Sequence, residues 1–276
     1  MSEYPQSYAF EAGPVMPVPR ISGTAMPHGV FLSTGTASTA GLLSLFLTGF
    51  SIVSIGILAA VPTYVLAWLA DQYLHLSLPA VLLQIGGPAD PLLSAIAHIL
   101  INLLTFLVFL LVLRATPLAG YHSAEHMTVH AIEHYGVLGW EPFVEQMPRA
   151  HRRCGSNLLS GILPILLVGA PLVSEGSPVA FALAVLLAMV GWRVRHYVGF
   201  FIQNTFTTKP PTEHHLARGI DAGQRLMSQW LAGPPPVLSP ARRWLHRGLP
   251  QMVAGVSCAI YLMSAVAEQL YRWLDW

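Results

Sequence analysis

The chain has 276 residues, of which 54% are hydrophobic and 10% are charged, and its formal net charge is +1. Because a soluble globular domain carries about 25% charged residues, this composition excludes an ordinary water-exposed surface and favours lipid as the surrounding solvent. The net charge also argues against nucleic acid as a partner, since nucleic-acid-binding proteins need a clustered basic surface.

Five segments are candidates for membrane-spanning helices, each of which needs about 20 mostly apolar residues. In chain order they are residues 41–69, 92–113, 157–173, 179–192 and 249–267. The sequence therefore predicts an all-α fold class: a polytopic integral membrane protein with about five transmembrane helices, whose first partner is the lipid bilayer.

The chain divides into three regions. Residues 1–40 are rich in Pro, Gly, Ser and Thr and are predicted to be a flexible N-terminal tail. Residues 41–231 are expected to form the membrane domain, which includes two amphipathic helices outside the bilayer at about residues 121–135 and 212–231. Residues 232–276 are expected to be a Pro-rich linker followed by the C-terminal transmembrane helix.

The basic residues predict the orientation of the chain in the membrane. With the N-terminus inside the cell, thirteen of the fourteen Lys and Arg residues fall in or beside the inner segments, and Arg272 falls outside. Lys and Arg favour the cytoplasmic side of membrane proteins. The sequence therefore predicts a cytoplasmic N-terminus, with both amphipathic helices on the cytoplasmic face.

The first amphipathic helix carries a run of ligand-type side chains in YHSAEHMTVHAIEH, residues 121–134. At about 100° per residue, one stripe of this helix holds four of them and has a fifth at its margin. The four are His122, Glu125, His126 and Glu133, and the fifth is His130.

The spacing within this stripe points to metal chemistry. Two histidines four residues apart can bind one cation through neighbouring imidazoles, which makes His122 and His126 candidate ligands. Together with Glu125 they follow the H-x-x-E-H order of the inverted zincin motif. In that chemistry the glutamate is the general base toward water, so Glu125 is the candidate catalytic residue.

Two histidines need a third protein ligand to hold a zinc ion. The next side chains of the right type occur in HRRCG at residues 151–155, where His151 and Cys154 are three residues apart. One or both are predicted to complete the site, and the structural alternative is a capping histidine and a small core cysteine. A His-rich set with one Cys favours zinc, or another divalent transition metal.

Three ordered motifs resemble the YqhQ-like family of bacterial membrane proteins, an uncharacterised family of predicted metal-dependent enzymes. The motifs are YHSAEHMTVHAIE, then HRRCGSNLL, then FFIQNTFTTKPPTEHHLARGIDAG, and the resemblance covers residues 92–229. It implies that the three motifs meet around one site. It also adds Arg153, Gln203, Thr207 and Thr208 to the candidate site residues.

The chain departs from this family's pattern in ways that mark it as a divergent member. Met127 stands where the family has Lys, Arg152 where it has Pro, and Lys209 where it has Glu. The family's glycine-rich opening motif has its nearest counterpart in ISGTAMPHGVF, residues 21–31, which is a poor match.

Two functions compete on these observations. The leading hypothesis is an integral membrane metalloprotein of the bacterial inner membrane, with a cytoplasm-facing HxxEH plus HxxC site and zinc-dependent hydrolase activity toward a membrane-associated substrate. The alternative is a non-enzymatic accessory subunit of a larger membrane complex or homo-oligomer. Its histidines would hold a structural metal, a haem or a chlorophyll-type pigment, and a visible absorption band would favour it.

Overall fold

The computed structural model describes residues 18–34, 37–39, 41–74, 91–173, 176–233, 239–240 and 248–273. In chain order its main elements are β1 (Ser22–Met26), β2 (Gly29–Ser33), α1 (Leu42–Leu74), α2 (Pro91–Ala115), α3 (Leu118–Tyr135), a 3-10 helix (Glu141–Gln146), α4 (Gly155–Pro164), α5 (Pro178–Ile202), α6 (Glu213–Leu231) and α7 (Leu249–Trp273). A π turn (Ile165–Gly169) and a short helix (Ala170–Val173) continue α4. Helices dominate these residues, and the predicted all-α fold class is confirmed.

Five helical stretches in the described ranges are long and apolar enough to cross a membrane, which is the predicted number. They are Leu42–Ala70, Ala95–Ala115, Gly155–Val173, Pro178–Thr207 and Leu249–Gln269. The fourth continues past residue 192, where its apolar run ends. The reason is that α5 continues through a π turn, Gln203–Thr207, until Pro210 and Pro211 make further helix unfavourable.

The first and last of these helices, α1 and α7, pack closely because small residues lie between them. A Cβ atom at Gly49 would overlap the carbonyl oxygen of Met252, and one at Gly255 would overlap the carbonyl oxygen of Phe46. Small residues allow such close backbone approach between membrane helices, where packing rather than the hydrophobic effect drives association. This pair brings the C-terminal helix back against the start of the membrane region.

Residues 22–33 differ from the flexible tail expected for residues 1–40. They form a β-hairpin in which β1 and β2 pair antiparallel around a turn at Pro27 and His28. All five residues of β2 are buried, because this strand packs against α3 and α6. The Pro, Gly and Ser residues that suggested disorder are in part the residues of a hairpin turn. Residues 1–17 lie outside the described residues.

The hairpin, α3, the 3-10 helix and α6 form a compact unit, which we call the hairpin unit. The two amphipathic helices predicted from the sequence are α3 and α6, and Thr212 caps α6 in a capping box with His215. The largest apolar side chains that are fully buried belong to this unit. They are Leu32, Ile132, Trp140, Val144 and Leu226. The linker predicted after α6 lies outside the described residues at 234–238 and 241–247.

Candidate metal centre

Three of the predicted ligands converge on one point. His122 and His126 project from α3, and Cys154 immediately precedes α4. One ligand atom from each residue lies within 4.8 Å of the other two. The Sγ atom of Cys154 is 3.3 Å from the Nε2 atom of His122. The fold thus joins the H-x-x-E-H motif to the cysteine of HRRCG.

Backbone carbonyl groups fix the protonation of both imidazoles. The Nδ1 atom of His122 is 2.9 Å from the carbonyl oxygen of Thr207, and that of His126 is 2.5 Å from the carbonyl oxygen of Arg149. A carbonyl oxygen can only accept a hydrogen bond, so each Nδ1 carries the proton and donates it. In the neutral rings, both Nε2 atoms are therefore unprotonated, and that of His122 faces the Cys154 thiol. Such carbonyl partners are typical of histidines that bind metals.

This donor set fits a divalent transition metal. Two imidazole nitrogens and one sulfur are ligands that zinc accepts, whereas magnesium and calcium require oxygen. Three protein ligands also match the number found in catalytic zinc sites, where the fourth position is left for water or substrate. Burial raises the pKa of the Cys154 thiol, and the hydroxyl of Ser156, which donates to Sγ at 3.2 Å, lowers it in part.

Glu125 lies beside His122 and His126 and is 6% exposed. Its Oε2 atom is 3.6 Å from Nε2 of His126 and 4.0 Å from Nε2 of His122. Burial raises the pKa of this carboxyl group to about 8, although His122 opposes the rise and Cys154 adds to it. In the metal-free protein the carboxyl group therefore holds its proton at neutral pH and begins to lose it just above.

The hairpin covers this carboxyl group. A Cβ atom at Gly23 in β1 would overlap the side chain of Glu125, so only glycine allows the strand to lie this close. The guanidinium group of Arg153 reaches the carbonyl oxygen of Ile21, just before β1, at 3.5 Å. The segment from Ile21 into β1 thus forms one wall of the site.

His151, the other predicted ligand from HRRCG, lies outside the group of three. Its Nδ1 atom accepts a hydrogen bond from the backbone N–H of Arg153 at 3.2 Å, and its Nε2 atom is 3.5 Å from Oε2 of Glu133. Both ring nitrogens are therefore occupied by protein groups. Its ring packs 4.5 Å from the ring of His130, whose Nε2 atom is 3.0 Å from the carbonyl oxygen of Ala150.

Glu133 connects this second group of side chains to the protein surface. It accepts a hydrogen bond from the half-exposed guanidinium group of Arg153. Burial alone would raise the pKa of Glu133, but the hydrogen bonds from His151 and Arg153 outweigh it and lower the pKa. Burial lowers the pKa of His130, and it lowers that of His126 well below the usual range. Glu133, His151 and Arg153 thus form one connected group beside the turn that carries Cys154.

The third predicted motif positions the first two. The Gln203 side chain is fully buried. Its Oε1 atom accepts the backbone N–H of His151 at 2.8 Å, and its Nε2 atom donates to Oδ1 of Asn157 at 3.1 Å. The hydroxyl of Thr208 donates to the carbonyl oxygen of Gln203 at 2.7 Å. Thr207 contributes its carbonyl oxygen to His122, as described above.

Sequence reasoning missed several residues that shape the site. The side-chain amide of Asn157 donates to the carbonyl oxygens of His151 and Arg152 at 3.1 and 2.9 Å, which fixes the turn that carries Cys154. The hydroxyl of Ser123 bonds to the backbone of Lys209. A buried amide at the start of an apolar helix is a signal that could have identified Asn157. No pattern in the sequence distinguishes Ser123 or Gly23.

Comparison with known proteins assigns a family. The model of a family described as protein of unknown function (DUF1385) matches residues 40–192, more than half of the chain. The chain belongs to this family. No curated protein and no solved structure matches the sequence.

Proposed function

We propose that this member of the DUF1385 family is a zinc-dependent hydrolase in which His122, His126 and Cys154 bind the metal and Glu125 is the general base. The observation that carries the proposal is the convergence of two unprotonated imidazole nitrogens and one thiol beside a buried carboxyl group. A purely structural zinc site has four protein ligands and needs no buried carboxyl group beside it.

The chemistry that a bound zinc ion supplies in such a site is Lewis acidity, which polarises a carbonyl or phosphoryl oxygen and acidifies water. The chain's own residues supply the rest. Glu125 accepts a proton from the attacking water and returns it to the leaving group. The carbonyl groups of Thr207 and Arg149 hold the two imidazoles in the orientation that directs both Nε2 atoms to one point.

The surroundings of Glu125 favour this role. Apolar burial raises the basicity of a carboxylate, and a general base is most effective when its pKa lies near the working pH. The hairpin keeps bulk water from the carboxyl group, which strengthens electrostatic interactions within the site. Gly23 is the contact that makes this closure possible.

The position of the site suggests where the substrate comes from. Cys154 directly precedes Gly155, where the third candidate membrane span begins. With the basic residues on the inner side, the site would open at the cytoplasmic face of the bacterial inner membrane. A membrane-associated substrate fits a centre at that depth.

The test is metal content and hydrolysis by the full chain reconstituted in lipid nanodiscs. We expect about one zinc per chain, because a site of three protein ligands holds one ion. His122→Ala/His126→Ala should lose the metal, whereas His134→Ala, which changes an exposed histidine of the same helix, should retain it.

Glu125→Gln separates binding from catalysis. It should keep zinc but lose about 10²–10⁴-fold in kcat/KM against any ester, amide or phosphoester that the wild type cleaves. Glu145→Gln, an exposed change on the 3-10 helix, is the matched control. Zinc-free protein, or protein with a visible haem or pigment band and attached subunits, would contradict the proposal and favour an accessory subunit.

A further inference from the structure

Among the residues that the structure describes, no strand pairs with the outer edge of β1, which lies next to the candidate metal centre. In the described part of the chain, the sheet has two strands, and β2 is the strand partner of β1. The other side of β2 is already occupied, since Ser33 forms an isolated bridge with Ser38. The sequence of β1, SGTAM, contains no charged residue and no proline, which are the usual means of blocking an edge strand.

The register shows which backbone groups this edge offers. Leu32 in β2 directs its backbone away from β1: its N–H donates to the Thr39 hydroxyl at 3.0 Å, and its carbonyl accepts the Thr39 N–H at 3.1 Å. Leu32 is opposite Gly23, and Val30 is opposite Ala25. In an antiparallel pair, opposed residues alternate between bonded and non-bonded pairs.

Gly23 and Ala25 are therefore in non-bonded pairs, and their N–H and C=O groups point away from β2. The hydroxyl of Thr24 donates to the carbonyl oxygen of Gly23 at 2.8 Å, which leaves the second lone pair of that oxygen available. These two residues offer the donors and acceptors that an added strand needs, two residues apart along the edge.

The proposed catalytic base lies over the face of β1 at the same residue. Gly23 touches the Glu125 side chain so closely that a Cβ atom would overlap it. A strand paired with Gly23 and Ala25 would run about 4.8 Å to the side of β1, next to the face that Glu125 covers. Arg153, which adjoins Cys154, reaches the carbonyl oxygen of Ile21 at the start of β1. A lipid or a simple phosphoester has no alternating N–H and C=O groups with which to pair in this way.

We propose that the substrate is a polypeptide, bound in extended conformation as an additional strand on the outer edge of β1. This inference rests on the proposed hydrolase function and specifies its substrate class. Strand addition gives affinity through main-chain hydrogen bonds and presents one peptide carbonyl to the site. In the reaction, the oxygen of water bonds to the carbonyl carbon and the C–N bond breaks. The proton that Glu125 takes from water passes to the amine nitrogen, so the products are a carboxyl group and a free amine.

Binding can be measured without cleavage in full-length Glu125→Gln protein, loaded with zinc in nanodiscs. The probe is a pool of fluorescein-labelled, unstructured peptides of about ten residues, the length of a long strand. A matched pool has alternate amide nitrogens methylated, which prevents strand pairing. Fluorescence anisotropy should give about tenfold tighter binding for the unmethylated pool, the effect expected for one or two hydrogen bonds.

Ala25→Pro, added to this protein, tests the edge itself. Proline removes the outward N–H of Ala25 but no hydrogen bond between β1 and β2, so the hairpin should persist. The preference for the unmethylated pool should disappear while the zinc content and thermal midpoint stay unchanged. Equal binding of both pools by the protein without Ala25→Pro, or a preference that survives in a folded Ala25→Pro protein, overturns the inference.

Hydrolysis assays separate this outcome from failure of the proposed function. If the protein cleaves a small ester or phosphoester in a manner that depends on Glu125 but shows no preference between the peptide pools, the hydrolase stands and its substrate is not a polypeptide. If the chain binds no zinc and has no hydrolysis that depends on Glu125, both proposals fall together.

Discussion

The five apolar helices and the hairpin unit use hydrophobic side chains in opposite ways. The helices expose them: Leu58, Leu186 and Val253 are each more than half exposed. The hairpin unit buries them, with Trp140 and Leu226 almost fully enclosed. Lipid is the solvent that satisfies the first pattern, and water requires the second. The candidate metal centre lies where the two regions meet, since Cys154 precedes α4 and the two histidines belong to α3.

Polar contacts fasten the two regions together at this boundary. The guanidinium group of Arg114, at the end of α2, donates to the carbonyl oxygens of Thr205 and Thr208 at 2.6 and 2.9 Å. The ammonium group of Lys209 donates to the carbonyl oxygen of Thr116 at 2.8 Å. These bonds satisfy the last carbonyl groups of helices that end here. They also fix the backbone that orients His122.

Substituting one tryptophan in each region compares the two regions directly, and it gives the largest expected difference in stability. Trp140 is 1% exposed in the hairpin unit, so Trp140→Ala should destabilise the protein by about 3–5 kcal/mol. Trp192, on α5, is 50% exposed and stacks under the guanidinium group of Arg195 at 4.2 Å. Trp192→Ala should therefore cost about 1 kcal/mol or less. Thermal midpoints of both variants in detergent measure the difference. Equal losses in thermal midpoint would contradict the assignment of a buried, water-excluding core to the hairpin unit.

The parts of this architecture that could be predicted depend on local spacing. The five helices follow from runs of apolar residues, and His122 and His126 share a face because they are four residues apart. Cys154 could be named as a candidate but not chosen over His151. The choice depends on two contacts of His151. Its ring accepts the backbone N–H of Arg153, and its own backbone N–H donates to the side chain of Gln203, which is distant in sequence.

The hairpin could not be predicted because its burial depends on a distant element. Its strands are five residues each and follow a segment rich in turn-forming residues. A two-stranded hairpin is marginal by itself in water and needs a partner surface. The surface that stabilises β2 belongs to α3 and to α6, which begins at Glu213, so no short stretch of sequence contains the necessary information.

A substitution at Gln203 tests the contacts at the boundary between the two regions, and the loss of stability expected from it is intermediate. Gln203→Leu keeps the volume but leaves the N–H of His151 and Oδ1 of Asn157 without a partner in a buried place. Each unsatisfied group costs about 1–3 kcal/mol. Because His151 lies in the turn that carries Cys154, the zinc affinity should fall about 10–100-fold.

Competition with a chelator measures this affinity, and Gln224→Leu, an exposed change on α6, is the control. A Gln203→Leu protein with lower thermal stability but unchanged zinc affinity would mean that the boundary contact stabilises the fold without positioning the ligands.

The last comparison is a pH dependence that isolates Glu125 in metal-free protein. Burial raises its pKa from 4.5 to about 8 in the folded state, so the folded protein binds this proton more tightly than the unfolded chain does. The resulting stability is fully present below pH 4.5 and is lost as the pH rises through about 8. The thermal midpoint of the wild type, with chelator present, should therefore fall by several degrees between pH 5 and pH 9 relative to Glu125→Gln.

Comparing the wild type with Glu125→Gln cancels the contributions of the other titrating groups to the pH dependence. Burial lowers the pKa of His126, which makes the folded state more stable as the pH rises, but both proteins contain this residue. The difference between their curves therefore reports the carboxyl group. Its burial depends on β1, since Gly23 is the contact that lies over it. Parallel curves for the wild type and Glu125→Gln would mean that water reaches Glu125, and that the hairpin is not closed over the site in the metal-free protein.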